Sequence, residues 1–307
     1  MTPRPSPFRF RELLAAAVLL APAAALAQAC CTGASALAPA RLTLHEDALV
    51  GVQLSPAALV GSWDGARAFV PSPAGATELR LQEVLVGSIR FLSRGQATAA
   101  VPFLETYRRL GGLGEFGGGF GDVVLSGRWD FVQAGESARI PGLAAVLGVQ
   151  FPTGRPPESA HLPLGTDTTG AGSFQFSAGF AVEQSWAHWF ATGTALLTQA
   201  TPRKVGSITE LLGLQVTVIG AAGYAFDTEA ALAVTVAYTD SGDAWLNGAV
   251  AKGSGRARTT LGVSGALPLS EDWRLQGSLT TDVPAPFLGR NEPTNVGLTL
   301  MIVRSWT

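Results

Sequence analysis

Residues 173–190 read SFQFSAGFAVEQSWAHWF, and the two faces of this stretch decide the fold. Phe174, Phe176, Ala178, Phe180 and Val182 alternate with Ser173, Gln175, Ser177, Gly179, Ala181 and Glu183. A period of two puts the sets on opposite faces of one strand. In a soluble sandwich the apolar set points inward; in a membrane barrel it points outward into lipid. The stretch alone serves either fold, so the rest of the chain must choose.

The same alternation recurs in about twelve segments: near 46–55, 78–92, 97–109, 119–132, 141–153, 173–183, 186–199, 208–226, 229–240, 256–267, 273–283 and 295–306. Most run for about 10–14 residues; a tilted strand needs about 9–11 to cross a bilayer, whereas strands of globular proteins average about 5–6. Tight connections at 93–96, 184–185, 227–228 and 268–272 alternate with Gly- and Pro-rich stretches at 56–77, 110–118, 154–172, 200–207, 241–255 and 284–294. The connection at 133–140 is of middling length. Short turns at one end and long loops at the other are the pattern of periplasmic turns and extracellular loops.

The faces agree. Val123, Leu125, Trp129 and Phe131 oppose Asp122, Ser126, Arg128 and Asp130, and Trp273, Leu275 and Leu279 oppose Arg274, Gln276, Ser278, Thr280 and Asp282. A soluble core would alternate too. Aromatics at the ends of the segments (Trp129, Phe131, Phe151, Trp186, Tyr224, Phe226, Tyr238, Trp273, Trp306) favour lipid, where such residues form interfacial girdles. The predicted fold is all-β: a transmembrane antiparallel up-and-down β-barrel of about twelve strands, with both termini on the periplasmic side. Four positions strain it. Glu83 and Glu105 fall on the outward face, as does His188 if Phe190 faces lipid, and Pro102 invites a local shift of register.

Bulk properties fit an exported membrane protein. Charged residues are 14% of the 307, glycines number 37, and mean hydropathy is +0.27. A net charge of -2 with two lysines, Lys204 and Lys252, gives no footing for nucleic acid. At the start, Arg4, Arg9 and Arg11 precede an apolar run at 13–27 and the small residues Ala27-Gln28-Ala29, an export signal cleaved near Ala29. This divides the chain into a signal peptide (1–29), a periplasmic N-terminal segment (30–45) and the barrel (46–307), in the outer membrane of a Gram-negative bacterium. The implied partners are outer-membrane lipid, a small-molecule solute of unknown identity and the barrel-assembly machinery. The closing strand, NVGLTLMIVRSWT (295–307), suits that machinery, although Arg304 interrupts its apolar face and Thr307 follows the aromatic.

Candidate chemistry is sparse. His45, His161 and His188 lie in separate segments and form no catalytic run, so an enzyme is not expected. Adjacent Cys30 and Cys31, with His45 and Glu46 downstream, match no zinc spacing; free or oxidised thiols, lipidation of Cys30 and a soft metal site all remain open. No cofactor is expected. The run GGLGEFGGGFG (111–121) lacks the lysine and helix of a phosphate loop and reads as an extracellular loop. The inward charges Arg80, Asp122, Arg128, Asp130, Glu183, Arg258, Arg274 and Asp282 are the pore-lining candidates. They either select solutes or pair with one another and stiffen the wall.

Three stretches, GFGDVVLSGRWDF (119–131), GVQFPTGRP (148–156) and LGTDTTGAGSFQFSAGF (164–180), carry a family resemblance. Together they resemble the outer-membrane β-barrel transporters linked to the MetA pathway of phenol degradation. The matching residues are Gly121, Asp122, Pro152, Thr153, Gly154, Gly165, Gly170 and Gly172. The resemblance implies a barrel concerned with uptake of small, often aromatic, compounds. The functional expectation is an outer-membrane channel or passive transporter for small aromatic or hydrophobic molecules. Its alternative is a structural or surface barrel with a closed lumen. The 154–172 loop is the candidate for an inward-folded constriction.

Overall fold

The structure, a computed structural model, describes residues 41–43, 45–136 and 139–307; the export signal, its cleavage point, Cys30 and Cys31 lie outside these residues. Alternating apolar and small or polar residues build twelve long strands: β1 (Ala48–Trp63), β2 (Thr77–Phe91), β3 (Gly95–Leu110), β4 (in two runs, Leu113–Phe120 and Val123–Val132), β5 (Gly142–Phe151), β6 (Gln175–Trp186), β7 (Trp189–Ala200), β8 (Gln215–Ala225), β9 (Ala231–Ser241), β10 (Arg256–Pro268), β11 (Trp273–Asp282) and β12 (Pro293–Trp306). Each pairs antiparallel with its neighbours in sequence, and β12 returns to β1 with Trp306 opposite Ala48. The ring is closed. Among the described residues each of the twelve strands has a partner on both sides, as a bilayer requires of a sheet, and only the outer run of β4, Leu113–Phe120, pairs on one side alone, with β3.

The exterior is apolar. In the stretch that opened the question, Phe176 and Phe180 are 54% and 59% exposed on the outer wall, while Glu183 on the opposite face is 2% exposed. Each such side chain set in lipid rather than water contributes roughly 1.5–3 kcal/mol. At the short-turn end the girdle includes Trp189, Tyr224 and Phe226, packed edge to face with ring centroids 5.1 Å apart, and His188 stacks on Tyr224. Arg304, an interruption in the sequence pattern, lies there over Trp273 and Trp306 at 5.8 and 5.2 Å, where its cation reaches the headgroups. At the long-loop end Phe103 packs on Phe120 and Phe151 on Phe174. Glu83 stands directly opposite Phe103, and Glu105 one outward position further from the periplasm. Both carboxylates therefore lie level with or beyond the Phe103–Phe120 pair, at the long-loop end of the wall.

Three sequence readings change. The glycine run does not form a loop: Gly111 and Gly112 make a tight turn with φ of 58° and 88°, and Leu113–Phe120 pairs with β3. Glycines alternating there with Glu115, Phe116 and Phe120 carry too few side chains to show a period. The segment at 208–226 is two elements, because Ile208–Leu211 joins Arg203–Val205, Trp245–Leu246 and Ala249–Val250 in a separate four-stranded sheet. That sheet stands beyond the wall at the long-loop end. Lastly, β1 runs on to Trp63 and pairs with a short strand at Phe69–Pro71.

Proline placement sets the wall's irregularities. The β2–β3 ladder passes Pro102 unbroken, but Ala100 faces Val124 on β4 while Phe103 faces Phe120, leaving one extra residue on β4. The carbonyl of Pro102 points at β4, accepting from Gly121 N–H at 2.8 Å, so the N–H that proline lacks belonged to the same ladder. The bulge that results breaks β4 at Gly121–Asp122 and frees the Asp122 side chain to leave the wall.

Candidate functional site

Loop 154–172 folds into the long-loop mouth of the barrel and is held at its base by Asp122. One Asp122 oxygen accepts the Gly154 amide at 2.8 Å; the other accepts the Ala171 amide at 2.7 Å and Gln150 Nε2 at 2.9 Å. Thr153 locks the neighbouring turn, its hydroxyl donating to the Gly121 carbonyl at 2.7 Å and accepting the Val123 amide at 3.0 Å. The two ends of the loop meet at Gly154 and Gly170, where a Cβ on Gly170 would lie 2.4 Å from Asp122 Oδ1 and 2.7 Å from Gly154 backbone. Gly165 and Gly172 adopt φ of 65° and 72°, a region favourable to glycine. Pro152 ends β5. The eight residues that carry the family resemblance thus serve one task, anchoring and turning this loop.

Further along, Asp167 is 4% exposed and holds the loop to itself: it accepts from Arg155 Nη1 at 2.6 Å and from the His161 amide at 2.9 Å. The His161 amide chiefly, with Arg155 and the Leu162 amide, outweighs burial and holds the Asp167 carboxyl down at about 2. Glu115 of β4 grips the tip, accepting the Leu164 amide at 3.0 Å and the Thr166 hydroxyl at 2.8 Å. His161 is exposed beside Asp167, at 3.9 Å.

Beneath the loop lies a cavity of about 510 Å³, walled by lumen-facing residues of β2 to β5 and roofed by Pro157, Gly165 and Thr168–Ala171. Its upper wall is charged. Glu78 holds both Arg80, at 2.5 Å, and Arg108, at 2.7 Å, and Arg108 also donates to the Leu164 carbonyl. A second chamber, about 260 Å³, lies under the loops of β7–β8 and β9–β10, among Glu210, Arg256, Arg258 and Glu292. Burial pushes the Glu292 carboxyl above its usual range, against the pull of Arg258 and Arg256. Arg258 lies 3.7 Å from Asp282, which also accepts from Thr260 Oγ1 at 2.6 Å and the Asn295 amide at 2.9 Å.

The periplasmic mouth is filled differently. The residues preceding β1 turn inward, and Arg41 crosses to Glu183 on β6, with Asp130 of β4 at 3.9 Å. Arg128 joins the same acids, 2.8 Å from Asp130 and 3.1 Å from Glu183. Leu42 is buried against Leu49, Val86, Met301 and Val303, and its amide donates to Gln96 Oε1 at 3.1 Å. Glu46 then binds Arg274 of β11 at 2.5 Å, while Arg90 donates to the carbonyls of Thr43 and Glu46. The inserted segment is tied to the wall on three sides.

The eight inward charges read from the sequence all face the lumen, but in two groups. Arg80, Asp122, Arg258 and Asp282 sit at the long-loop end; Arg128, Asp130, Glu183 and Arg274 sit at the periplasmic end. Sequence reasoning missed Arg41, Glu78, Arg90 and Arg108, and it set Glu46 beside the cysteines and Glu115 in an extracellular loop, where the structure has Glu46 bound to Arg274 and Glu115 to the tip of the 154–172 loop. Glu78 and Arg108 share a cross-strand pair and occupy inward positions of alternating strands, a signal that was present. Nothing local marks Arg41, which precedes the barrel. His188 lies in the β6–β7 turn with its Nε2 3.8 Å from Asp227, far along the chain and the barrel axis from His161. Among the described residues, no group of three or more His, Cys, Asp or Glu could hold a metal ion.

A family model described as the MetA pathway of phenol degradation matches residues 93–287, which include the loop anchor. The chain belongs to this family. It resembles the crystal structure of an outer membrane channel from Pseudomonas putida F1, with a TM-score of 0.71 over 86% of this chain and 97% of that one, at 16% identity. It overlaps less closely with the transport unit of the autotransporter AIDA-I from Escherichia coli, at 9% identity, TM-score 0.46, and 85% and 90% coverage. The CymD monoaromatic hydrocarbon channel gives 9% identity, TM-score 0.42, and 85% and 89% coverage. No curated protein matches the chain. Within this family the chain forms a closed antiparallel barrel of twelve strands.

Proposed function

We propose that the chain is a passive outer-membrane channel for small aromatic or hydrophobic molecules, rather than an enzyme. The observation that carries this is the lumen itself: a closed barrel encloses a cavity of about 510 Å³ beneath a loop folded inward on its own anchor. A barrel serving only as a wall has no need of such a shaped interior. The family's link to phenol degradation and the channel described for the Pseudomonas putida protein support the same reading. The chemistry suits passive passage, because selection rests on fixed side chains and on fit.

One observation favours a second reading, a structural barrel with a closed lumen. Seven of the eight inward charges sit in ion pairs, Asp122 is saturated by hydrogen bonds, and both mouths are occupied. Liposome swelling separates the two. Inserted protein in isotonic arabinose should swell liposomes faster than in stachyose, as a size-limited path requires. Swelling no faster than protein-free liposomes would favour the structural barrel.

A further inference from the structure

The lumen wall is mostly small or polar, as at Ser55, Thr98, Ser126, Ser177 and Thr198, but it changes character in the cavity under the 154–172 loop. There Val84, Ala100, Pro102, Leu104 and Val124 face inward together. An apolar patch in the lumen of a barrel is unusual, since water contacts it without gain. The ladder fixes the order of heights. Ala100 pairs with Val86 and Val124, Pro102 with Val84, Leu104 with Gln82, Thr106 with Arg80, and Arg108 with Glu78. Moving outward from the periplasm, the wall passes from apolar to polar to basic within a few residues.

The basic end has charge to offer. Two guanidiniums share the single carboxylate of Glu78, whose side chain is 9% exposed, while the Arg80 side chain is 45% exposed. Three other acids lie near: Asp122, at the foot of the cavity, accepts three N–H donors; Glu115 is turned to the loop tip; and Glu292, in the second chamber, feels Arg80 but also Arg258 and Arg256. Of the two guanidiniums that line the cavity, Arg80 is the more exposed, at 45% against 30% for Arg108, which is also tied to the Leu164 carbonyl.

We infer that this cavity is a binding site for small carboxylic acids with an apolar body, taken as the anion. The body lies against Pro102, Leu104 and Val124, and the carboxylate reaches up to the Arg80 guanidinium, a charge-assisted geometry that arginine favours. A hydrocarbon would leave Arg80 unused, and a sugar would leave the apolar floor unmatched. The inference rests on the channel reading for its purpose; its chemistry rests on the cavity alone.

Calorimetric titration of the full, detergent-folded protein tests it, with benzoate, benzyl alcohol and acetate as probes. Benzoate should bind at least about tenfold more tightly than either of the others, since one lacks the charge and the other the body. Arg80→Gln should weaken benzoate by about tenfold while leaving benzyl alcohol unchanged, and Arg80→Lys should recover part of the loss. Leu104→Asn should weaken benzoate and benzyl alcohol together. Each variant is first shown to be folded by its heat-modifiable migration on a gel. Equal affinity for benzoate and benzyl alcohol, or benzoate binding indifferent to Arg80→Gln, would overturn the inference. Benzoate binding by a protein that conducts nothing would overturn the channel reading and leave this site standing; conduction without benzoate binding would do the reverse.

Discussion

At Asp122 a single carboxylate joins the barrel wall to both ends of the constricting loop. Asp122→Ala leaves two amides without an acceptor and should free the loop, at a cost of about 2–4 kcal/mol in loop stability. Faster proteinase K cleavage within 156–171, with the barrel itself resistant, is the check. Asp167 adds a pH dependence. Its carboxyl is depressed from 3.8 to about 2, so its stabilisation is fully present above about pH 4 and is lost as pH falls towards 2. Hydrogen exchange at the amides of His161 and Leu162 should rise across that window after correction for the intrinsic rate. In Asp167→Asn it should be raised already at pH 5, with little further change. Of these two residues the sequence marks Asp122 clearly, since it stands in the Gly-Asp pair and on an inward position. Asp167 gives no such sign, because its partners are backbone amides whose direction depends on the folded loop.

Among the elements, β4 shows how local chemistry shapes the site. Pro102 removes one ladder donor, the bulge at Gly121–Asp122 follows, and the freed aspartate captures the loop. Gly170 makes the same junction possible from the other side. Gly170→Val would press a branched side chain on Asp122 and Gly154, and it should release the loop without unfolding the barrel. Protease sensitivity confined to 156–171, with the heat-modifiable gel shift kept, tests this. Strands were legible wherever large apolar residues alternate, as in β6, and the order and facing of the twelve follow from that alternation. What stayed hidden was Leu113–Phe120, whose glycines erase the pattern, and the four-stranded sheet outside the wall, whose strands are two to four residues long. Such short pieces are held by pairing across distant loops, which no local period records.

For the whole molecule, the lumen is a chamber occupied at both ends: by the 154–172 loop outside, and on the periplasmic side by Arg41 and its neighbours. The sequence shows the barrel and its inward charges; which charges meet is set by barrel closure, which brings Arg41 to Glu183 across 142 positions of chain. Side chains of Arg41, Arg128, Asp130 and Glu183 are between 2% and 13% exposed, so this cluster is largely desolvated. Removing one partner from such a group costs about 3–5 kcal/mol, enough to favour release of the inserted segment. Arg41→Ala should therefore open the periplasmic mouth while leaving the strands paired. The most direct measurement is single-channel conductance in a planar bilayer, with wild-type protein and the variants Arg41→Ala, Arg128→Ala and Arg274→Ala, each shown to be folded and inserted. A passive channel narrowed by Arg41 should give discrete openings that are larger or more frequent in Arg41→Ala, with ion selectivity shifted in the Arg128 and Arg274 variants. Silence from all four proteins would contradict the channel and leave the barrel a structural one.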